Sequence, residues 1–367
     1  MSFGIYKIFW LLLTLASLLM LASNFVLSGI LSLCKRRIGR SPSCVESISI
    51  IIPAYDEEQN IEAKINSLWQ SAKLIDLPIE VLIGSDGSRD RTVEVARSRL
   101  RALNAVNWKI VEFENEGKCN TLNKLVKMAC GELIISTDAD VAVPEDAIRL
   151  IIDAFAADAK LGCLSCVPIL NSKQVGSQKH FWRIEDRVRN AESCLGRLIV
   201  VTGWLYAYRR NAYREIPKGV MADDLWIPLT FLLQGYDCVQ LEELRVLSEV
   251  TDESMEIKRR KRVISGGMDV VRRLFPQLLR RPDLLLIVMA HKINRWALPL
   301  WLVIFAVATI AVFPYIFFAY VALAVVAFLV VGNERFMALM YAVFSPLLAL
   351  FDVMTKTDFA RWEHTRK

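Results

Sequence analysis

Two aspartates one residue apart close an apolar run. In ELIISTDADVAVPED, Asp138 and Asp140 follow the stretch that ends at Thr137. Two carboxylates held at nearly fixed separation can bind one hard divalent cation, Mg²⁺ or Mn²⁺, and such a cation neutralises a diphosphate. A single Asp-x-Asp is weak evidence, because turns are rich in aspartate. Here it has company. IIPAYDEEQNI (51–61) places Tyr55, Asp56, Glu57 and Glu58 behind another apolar run, and SDGSRDRT (85–92) places Asp86 before the turn glycine Gly87. EGKCNTLN (116–123) sets Lys118 at a helix start, where a cation is unfavourable unless an anion sits beside it. ADDLWIPLTFLL (222–233) sets Asp223 and Asp224 at another helix start, where a capping carboxylate can also face a pocket. Each has a plain structural explanation: acids favoured by a helix dipole, an Asp-Gly turn, a cap. Their number and order point to a site.

The elements between them explain how such a site would be assembled. β-branched and apolar runs predict strands over 47–53, 79–88, 107–113 and 132–140. Helical spacing predicts helices over 65–75, 89–103 and 118–131, the last closed by Gly131. This alternation implies an α/β domain with a mainly parallel sheet and helices on both faces. Ligands of such sheets gather at the carboxyl ends of the strands. The first four of these motifs, DAD, IIPAYDEEQNI, SDGSRDRT and EGKCNTLN, fall at strand ends or helix starts on that one rim.

The rest of the chain is more apolar. Of 367 residues, 54% are hydrophobic, and the excess lies in blocks. The segment 8–33 carries no charge and is long enough to cross a bilayer. It is too long for a signal-peptide core and has no small-residue cleavage site behind it. CKRRIGR follows it, which by the positive-inside rule places residues 34 onward in the cytoplasm. The uncharged block 296–332, with Pro314 near its middle, predicts two further crossings, and 336–354 predicts a surface-lying or re-entrant helix. Residues 259–281 mix basic clusters with apolar positions at helical spacing, as in a helix on an anionic membrane face. Four regions are expected: a membrane helix to residue 33, a cytoplasmic domain over 34–258, an interfacial segment over 259–295 and C-terminal membrane helices with a tail over 296–367. The net charge of +6 fits membrane proximity and does not call for nucleic acid. Eight cysteines, a single CLSC and three histidines offer no zinc-like set, so reduced thiols are expected.

The ordered motifs IIPAYDEE, DGSRD, EGKCNTLN, DAD, GWLYAYRR (203–210) and ADDLWIPLTFLLQGY (222–236) resemble those of glycosyltransferase family 2, membrane branch, over roughly residues 46 to 300. The resemblance implies a GT-A, Rossmann-like nucleotide-sugar domain. It implies that Pro53 and Tyr55 belong to the donor-binding segment, that Glu57 and Asp86 hold the nucleoside, and that Lys118 approaches the nucleotide. Asp138 and Asp140 would bind the nucleotide sugar and its Mg²⁺ or Mn²⁺. Asp224 would be the catalytic base, with Asp223 beside it. Gly203 would allow close approach of the acceptor, while Trp204 and Tyr206 would either stack on a sugar or pack in the core. The sequence departs from the family where processive members carry Q-x-x-R-W. RRKRV (259–263) has the expected distance from Asp224 but replaces Gln with Arg259 and Trp with Val263, which counts against processive synthesis. Arg259 and Arg262 remain candidates for binding diphosphate. KINRW (292–296) is read as a pair of interface anchors, Arg295 and Trp296. The implied activity is inverting transfer of a sugar from a nucleotide-diphosphate donor, a UDP-sugar, to a membrane-associated or lipid-linked glycan at the inner membrane. Two alternatives are transfer to a polyprenyl phosphate and a non-catalytic nucleotide-binding export component. The intact set of Asp138, Asp140 and Asp224 argues against the second.

Overall fold

The computed structural model describes residues 8–20, 42–170, 176–248 and 253–312, together with Phe318 and Pro346. After an apolar helix α1 (Ile8–Met20) come β1 (Ile48–Ala54), α2 (Ile61–Ala72), β2 (Ile79–Asp86), α3 (Thr92–Ala102), β3 (Trp108–Phe113), α4 (Lys118–Met128) and β4 (Leu133–Thr137). These strands and helices agree with the pattern read from the sequence to within a few residues. The chain continues through α5 (Ala147–Ala157), β5 (Leu161–Leu170), α6 (Gly176–Cys194), β6 (Leu205–Arg209), α7 (Asp223–Leu233), β7 (Asp237–Ser248) and α8 (Glu253–Leu278).

The seven strands form one sheet in the order β3-β2-β1-β4-β6-β5-β7. β1 is buried along its whole length, as a central parallel strand covered on both faces must be. Its alternate residues serve two cores. Ile48, Ile50 and Ile52 pack with α2 and α5, whereas Ile51 packs on the opposite face with α4 and α7. α2 joins the first core through Ile61, Ile65 and Leu68, a single helical stripe. Register decides the site. Ile51 stands opposite both Leu82 and Ser136, and Ala54 opposite Ser85, so β1, β2 and β4 finish at one edge.

β6 was not expected as a strand. GWLYAYRR, read from the sequence as an acceptor-side loop, supplies Leu205–Arg209, which runs antiparallel to both β4 and β5. Its five residues are buried, so Tyr206 is a core side chain. Trp204, just before it, also packs in the core. Neither is an open platform for a sugar ring.

α8 is amphipathic, as the sequence implies, but Val270, Val271, Leu274 and Leu278 face the domain beside α7. Val263, Phe275 and Leu279 stay exposed. No single helix among the described residues is long and apolar enough to cross a membrane. The helix Pro282–Trp296 and the helix Leu298–Ala311 meet that measure only together, bent by 72°. The expected membrane stretches 21–33, 313–332 and 336–354 lie outside the described residues except for Phe318 and Pro346.

The join of β1 to β4 yields a stability prediction. A Cβ at Gly131 would stand 2.3 Å from the Ser49 nitrogen and 2.5 Å from the Ile48 carbonyl carbon. Both are backbone atoms of the neighbouring strand and cannot turn aside. Gly131→Ala is expected to destabilise the domain by about 1–3 kcal/mol through overpacking, read as a lower unfolding midpoint in detergent. An unchanged midpoint would show that β4 can move off β1.

Candidate active site

The loops after β1 and β2 are tied together by their own acids. The Asp56 N–H donates to Ser88 Oγ and Asp56 Oδ1 accepts the Arg89 N–H at 2.6 Å. The Glu58 N–H donates to Asp90 and Glu58 Oε2 accepts the Arg91 N–H. Glu57 receives Asn60 Nδ2 at 2.6 Å on its carboxylate, while its own N–H donates to Thr92. Pro53 and Tyr55 are buried at the foot of this loop.

Asp86 lies beneath the turn before α4. It is fully buried, and its carboxylate accepts the N–H groups of Glu116 at 3.0 Å and Gly117 at 2.9 Å and the Thr121 hydroxyl at 3.0 Å. Burial raises its pKa despite these bonds. A carboxylate bonded in this way fixes the turn before α4. Gly117, with φ of 94°, is the glycine that turn requires.

What the turn presents is Lys118. Its ammonium lies 2.9 Å from Asp138 Oδ1 and 3.4 Å from Asp223 Oδ2. Burial would lower its pKa, but Asp138 and Asp223 outweigh that and hold it above the ordinary lysine value. One cation therefore joins the end of β4 to the start of α7. The Tyr206 hydroxyl donates to the same Asp223 oxygen at 3.1 Å. Gly203 stands opposite: a Cβ there would sit 3.6 Å from Asp138 Oδ2 and 3.6 Å from Lys118 Nζ. Its hydrogen leaves this side of the Asp138–Lys118 pair open.

Asp224 follows on the first turn of α7 and is partly exposed. Burial, then the neighbouring Asp223, push its carboxyl up to about 6, against Lys292, Lys118 and Arg189 acting in the other direction. Its carbonyl oxygen accepts the Val201 N–H at 2.9 Å. Arg189, itself buried, donates to Ser165 Oγ, which accepts the N–H of Thr202, the residue before Gly203.

The arginines divide. Arg262 lies on α8 one turn before Gly266, whose Cβ position meets Ala222 and Met221, so it is placed near the entry to α7. Arg259 lies a further turn back, with its side chain outside the described residues. KINRW departs from its expected role. Arg295 pairs with Glu185 on α6, Lys292 stands 3.6 Å from the same residue, and Trp296 packs against Gly267. These residues face the domain, because their charges find partners there. His291 sits fully buried between Glu192 (2.6 Å from Nδ1) and Glu185 (3.2 Å from Nε2). Burial would raise the Glu185 carboxyl, but Lys292, Arg295 and His291 hold it well below the usual range. The backbone at Met289–Ile293 forms a π turn, a local irregularity often found near functional sites.

Asp138 and Asp140 follow the end of the parallel strand β4, and Asp138 faces the open side at Gly203. The described residues hold no cluster of three or more His, Cys, Asp or Glu side chains that could complete a metal shell. Two carboxylates of this kind suit a divalent cation whose other ligands come from a diphosphate.

A mainly parallel seven-stranded sheet that gathers carboxylates and a lysine at one edge, with an acid-headed helix beside them, is an α/β fold of the GT-A type. Residues 49–217 match the family model described as Glycosyl transferase family 2. It is 24% identical over 256 residues to a poly-beta-1,6-N-acetyl-D-glucosamine synthase of Staphylococcus epidermidis, covering 67% of this chain and 60% of that protein. A synthase of the same name from Staphylococcus aureus is 25% identical over 240 residues, covering 63% of this chain and 57% of that one. This chain thus matches about three-fifths of the length of these relatives. Among solved structures, the mannosyltransferase PcManGT from Pyrobaculum calidifontis, in complex with GDP-Man and Mn²⁺, superposes with a TM-score of 0.69 at 21% identity. That likeness covers 94% of this chain and 99% of that one, and it concerns the fold.

Asp224 carries a sign that stability measurements can read. Its folded pKa lies above the unfolded value, so its ionisation opposes folding above about pH 6 and has no effect below about pH 4. Asp224→Asn is therefore expected to melt at or above the wild-type temperature at pH 7.5 and to match it at pH 4. A lower midpoint at pH 7.5 would show that the carboxylate is stabilised where it stands.

Proposed function

We propose that this chain is a metal-dependent, inverting glycosyltransferase that moves a sugar from a nucleoside diphosphate, a UDP-sugar, to a membrane-associated or lipid-linked glycan. The observation that carries the reading is the single ammonium of Lys118 shared between Asp138 and Asp223. It sets the donor-side carboxylates and the helix that bears Asp224 in one site.

Asp138 and Asp140 would hold the Mg²⁺ or Mn²⁺, which when bound supplies charge neutralisation to the departing diphosphate. Lys118 adds a fixed positive charge on the same side. Asp224, with its carboxyl raised to about 6, is ionised near neutral pH and basic enough to take the proton of an acceptor hydroxyl as that oxygen attacks C1. Attack from the face opposite the leaving group inverts the anomeric centre. The relatives named as poly-beta-1,6-N-acetyl-D-glucosamine synthases support a glycan product, and the mannosyltransferase solved with GDP-Man and Mn²⁺ supports a nucleotide-sugar donor and the metal.

The membrane assignment rests on the sequence blocks and on two described helices. α1 exposes Leu12 and Leu19, and Leu298–Val312 exposes Leu300 and Val303. Asn294 Nδ2 donates to the Met20 carbonyl at 2.7 Å, which ties the end of α1 to the helix break before Leu298. We place the chain in the inner membrane with the sheet on the cytoplasmic side.

Purified protein in detergent, offered a panel of nucleotide sugars with Mn²⁺, is expected to release nucleoside diphosphate from one of them. Asp140→Ala should abolish that release, as should EDTA; full activity in either would remove the metal from the mechanism. Asp224→Asn should lower turnover by about 10²–10⁴-fold with donor affinity little changed. Wild-type turnover should rise with pH through about 6 and then level off, because the base must be ionised. A mutant that turns over normally would point to a phosphate acceptor, which is already anionic and needs no base.

A further inference from the structure

α2 carries a lysine on its buried stripe. Lys64 lies between Ile61 and Ile65, which face the core, and is 1% exposed. Its Nζ donates to Thr137 Oγ1 at 2.5 Å and to the Val141 carbonyl at 2.6 Å. Those acceptors stand on either side of Asp138-Ala139-Asp140. Two of the three donors of the ammonium are thus fixed on the two shoulders of one short loop.

The same helix face follows the chain further. Ser67 Oγ donates to the Lys64 carbonyl at 3.0 Å and accepts the Val143 N–H at 3.1 Å; Ser71 Oγ accepts the Ile148 N–H at 3.3 Å. On the other side, the Trp204 carbonyl accepts the Thr137 hydroxyl at 2.7 Å and the Asp138 N–H at 3.3 Å. The loop is gripped between α2 and the start of β6. Burial pushes the Lys64 ammonium down to about 7, although Asp138, Cys166 and Glu57 act the other way. An apolar side chain of similar length would avoid that desolvation. Stability alone does not explain a charge here.

We propose that Lys64 is a positioning residue for the donor's metal: by holding Thr137 and Val141 from beneath, it sets the spacing and aim of the Asp138 and Asp140 carboxylates. The inference rests on the reading of those two aspartates as metal ligands. Lys64 lies within the core, so its action runs through the loop and not through contact with substrate.

The test is Mn²⁺ binding by the full chain in the presence of UDP, followed by the electron paramagnetic resonance of free Mn²⁺, for wild type, Lys64→Met, Thr137→Val and Asp140→Ala. Lys64→Met is expected to remain folded and to bind Mn²⁺ about 10- to 100-fold more weakly, the usual effect of losing a partner that orients a ligand. The Mn²⁺ concentration for half-maximal turnover should rise by a similar factor, with most of kcat recovered at saturating Mn²⁺. Thr137→Val, which keeps the volume and removes one acceptor, should show a smaller shift in the same direction. A folded Lys64→Met with wild-type Mn²⁺ affinity would overturn the proposal. If that variant does not fold, Thr137→Val decides, and unchanged affinity there overturns it equally. Wild type and Asp140→Ala binding Mn²⁺ alike would instead refute the metal reading, and the proposal with it.

Discussion

One ammonium between two carboxylates governs this site. Lys118 comes from the start of α4, Asp138 from the end of β4 and Asp223 from the first turn of α7. These three elements belong to different parts of the sheet and would otherwise carry like charges to the same place. Asp138, Asp140, Asp223 and Asp224 clustered at one edge need a counter-charge to coexist. Lys118 provides it, and much of the surrounding polar structure serves to keep it there. Asp86 fixes the turn before it, Tyr206 holds Asp223, and Gly203 leaves the opposite side clear.

The second buried charge cluster links the domain to its apolar helices. Glu185 and Glu192 of α6 enclose His291, and Glu185 also takes Lys292 and Arg295. Glu192 additionally accepts the Ile199 N–H at 3.3 Å, two residues before Val201 bonds to the Asp224 carbonyl. A buried carboxylate with several cationic partners costs much to disturb, because removing one partner leaves charge unpaired. The π turn is therefore held to α6 by ionic contacts, while the residues that follow it are apolar. Rotation of the helix Leu298–Val312 about that break would have to work against those contacts.

Much of this was legible in the sequence, for a specific reason. β1, β2 and β4 are apolar runs buried on both faces, and the acids that follow them fall at one edge because the strands are in parallel register. What could not be read was pairing and burial. LYAYR, flanked by Trp204 and Arg210, looks like a loop, and its place as an antiparallel strand between β4 and β5 depends on contacts remote in the chain. The bonds from Asp86 to the turn before α4 could not be read either, because Glu116 and Gly117 lie some 30 residues further on. KINRW resembles an interface anchor until Glu185 is seen opposite. Lys64 did carry a signal that was missed: a charge in the middle of an apolar helical stripe, between Ile61 and Ile65, must have a buried partner.

The position of β6 has a consequence for how the protein is made. β1 to β4 can pair as soon as they leave the ribosome, since each lies beside a strand already synthesised or soon to follow. β4 then has one open edge, and the strand that covers it begins only at Leu205, 68 residues after Thr137. Through that interval the nascent chain presents unpaired N–H and C=O groups, the kind of edge that recruits other strands. Asp138 and Asp140 are exported from the tunnel well before Lys118 has its second partner in Asp223. Synthesis therefore passes through a half-domain that already carries Asp138 and Asp140, and whose closure waits on the segment that delivers β6 and then Asp223.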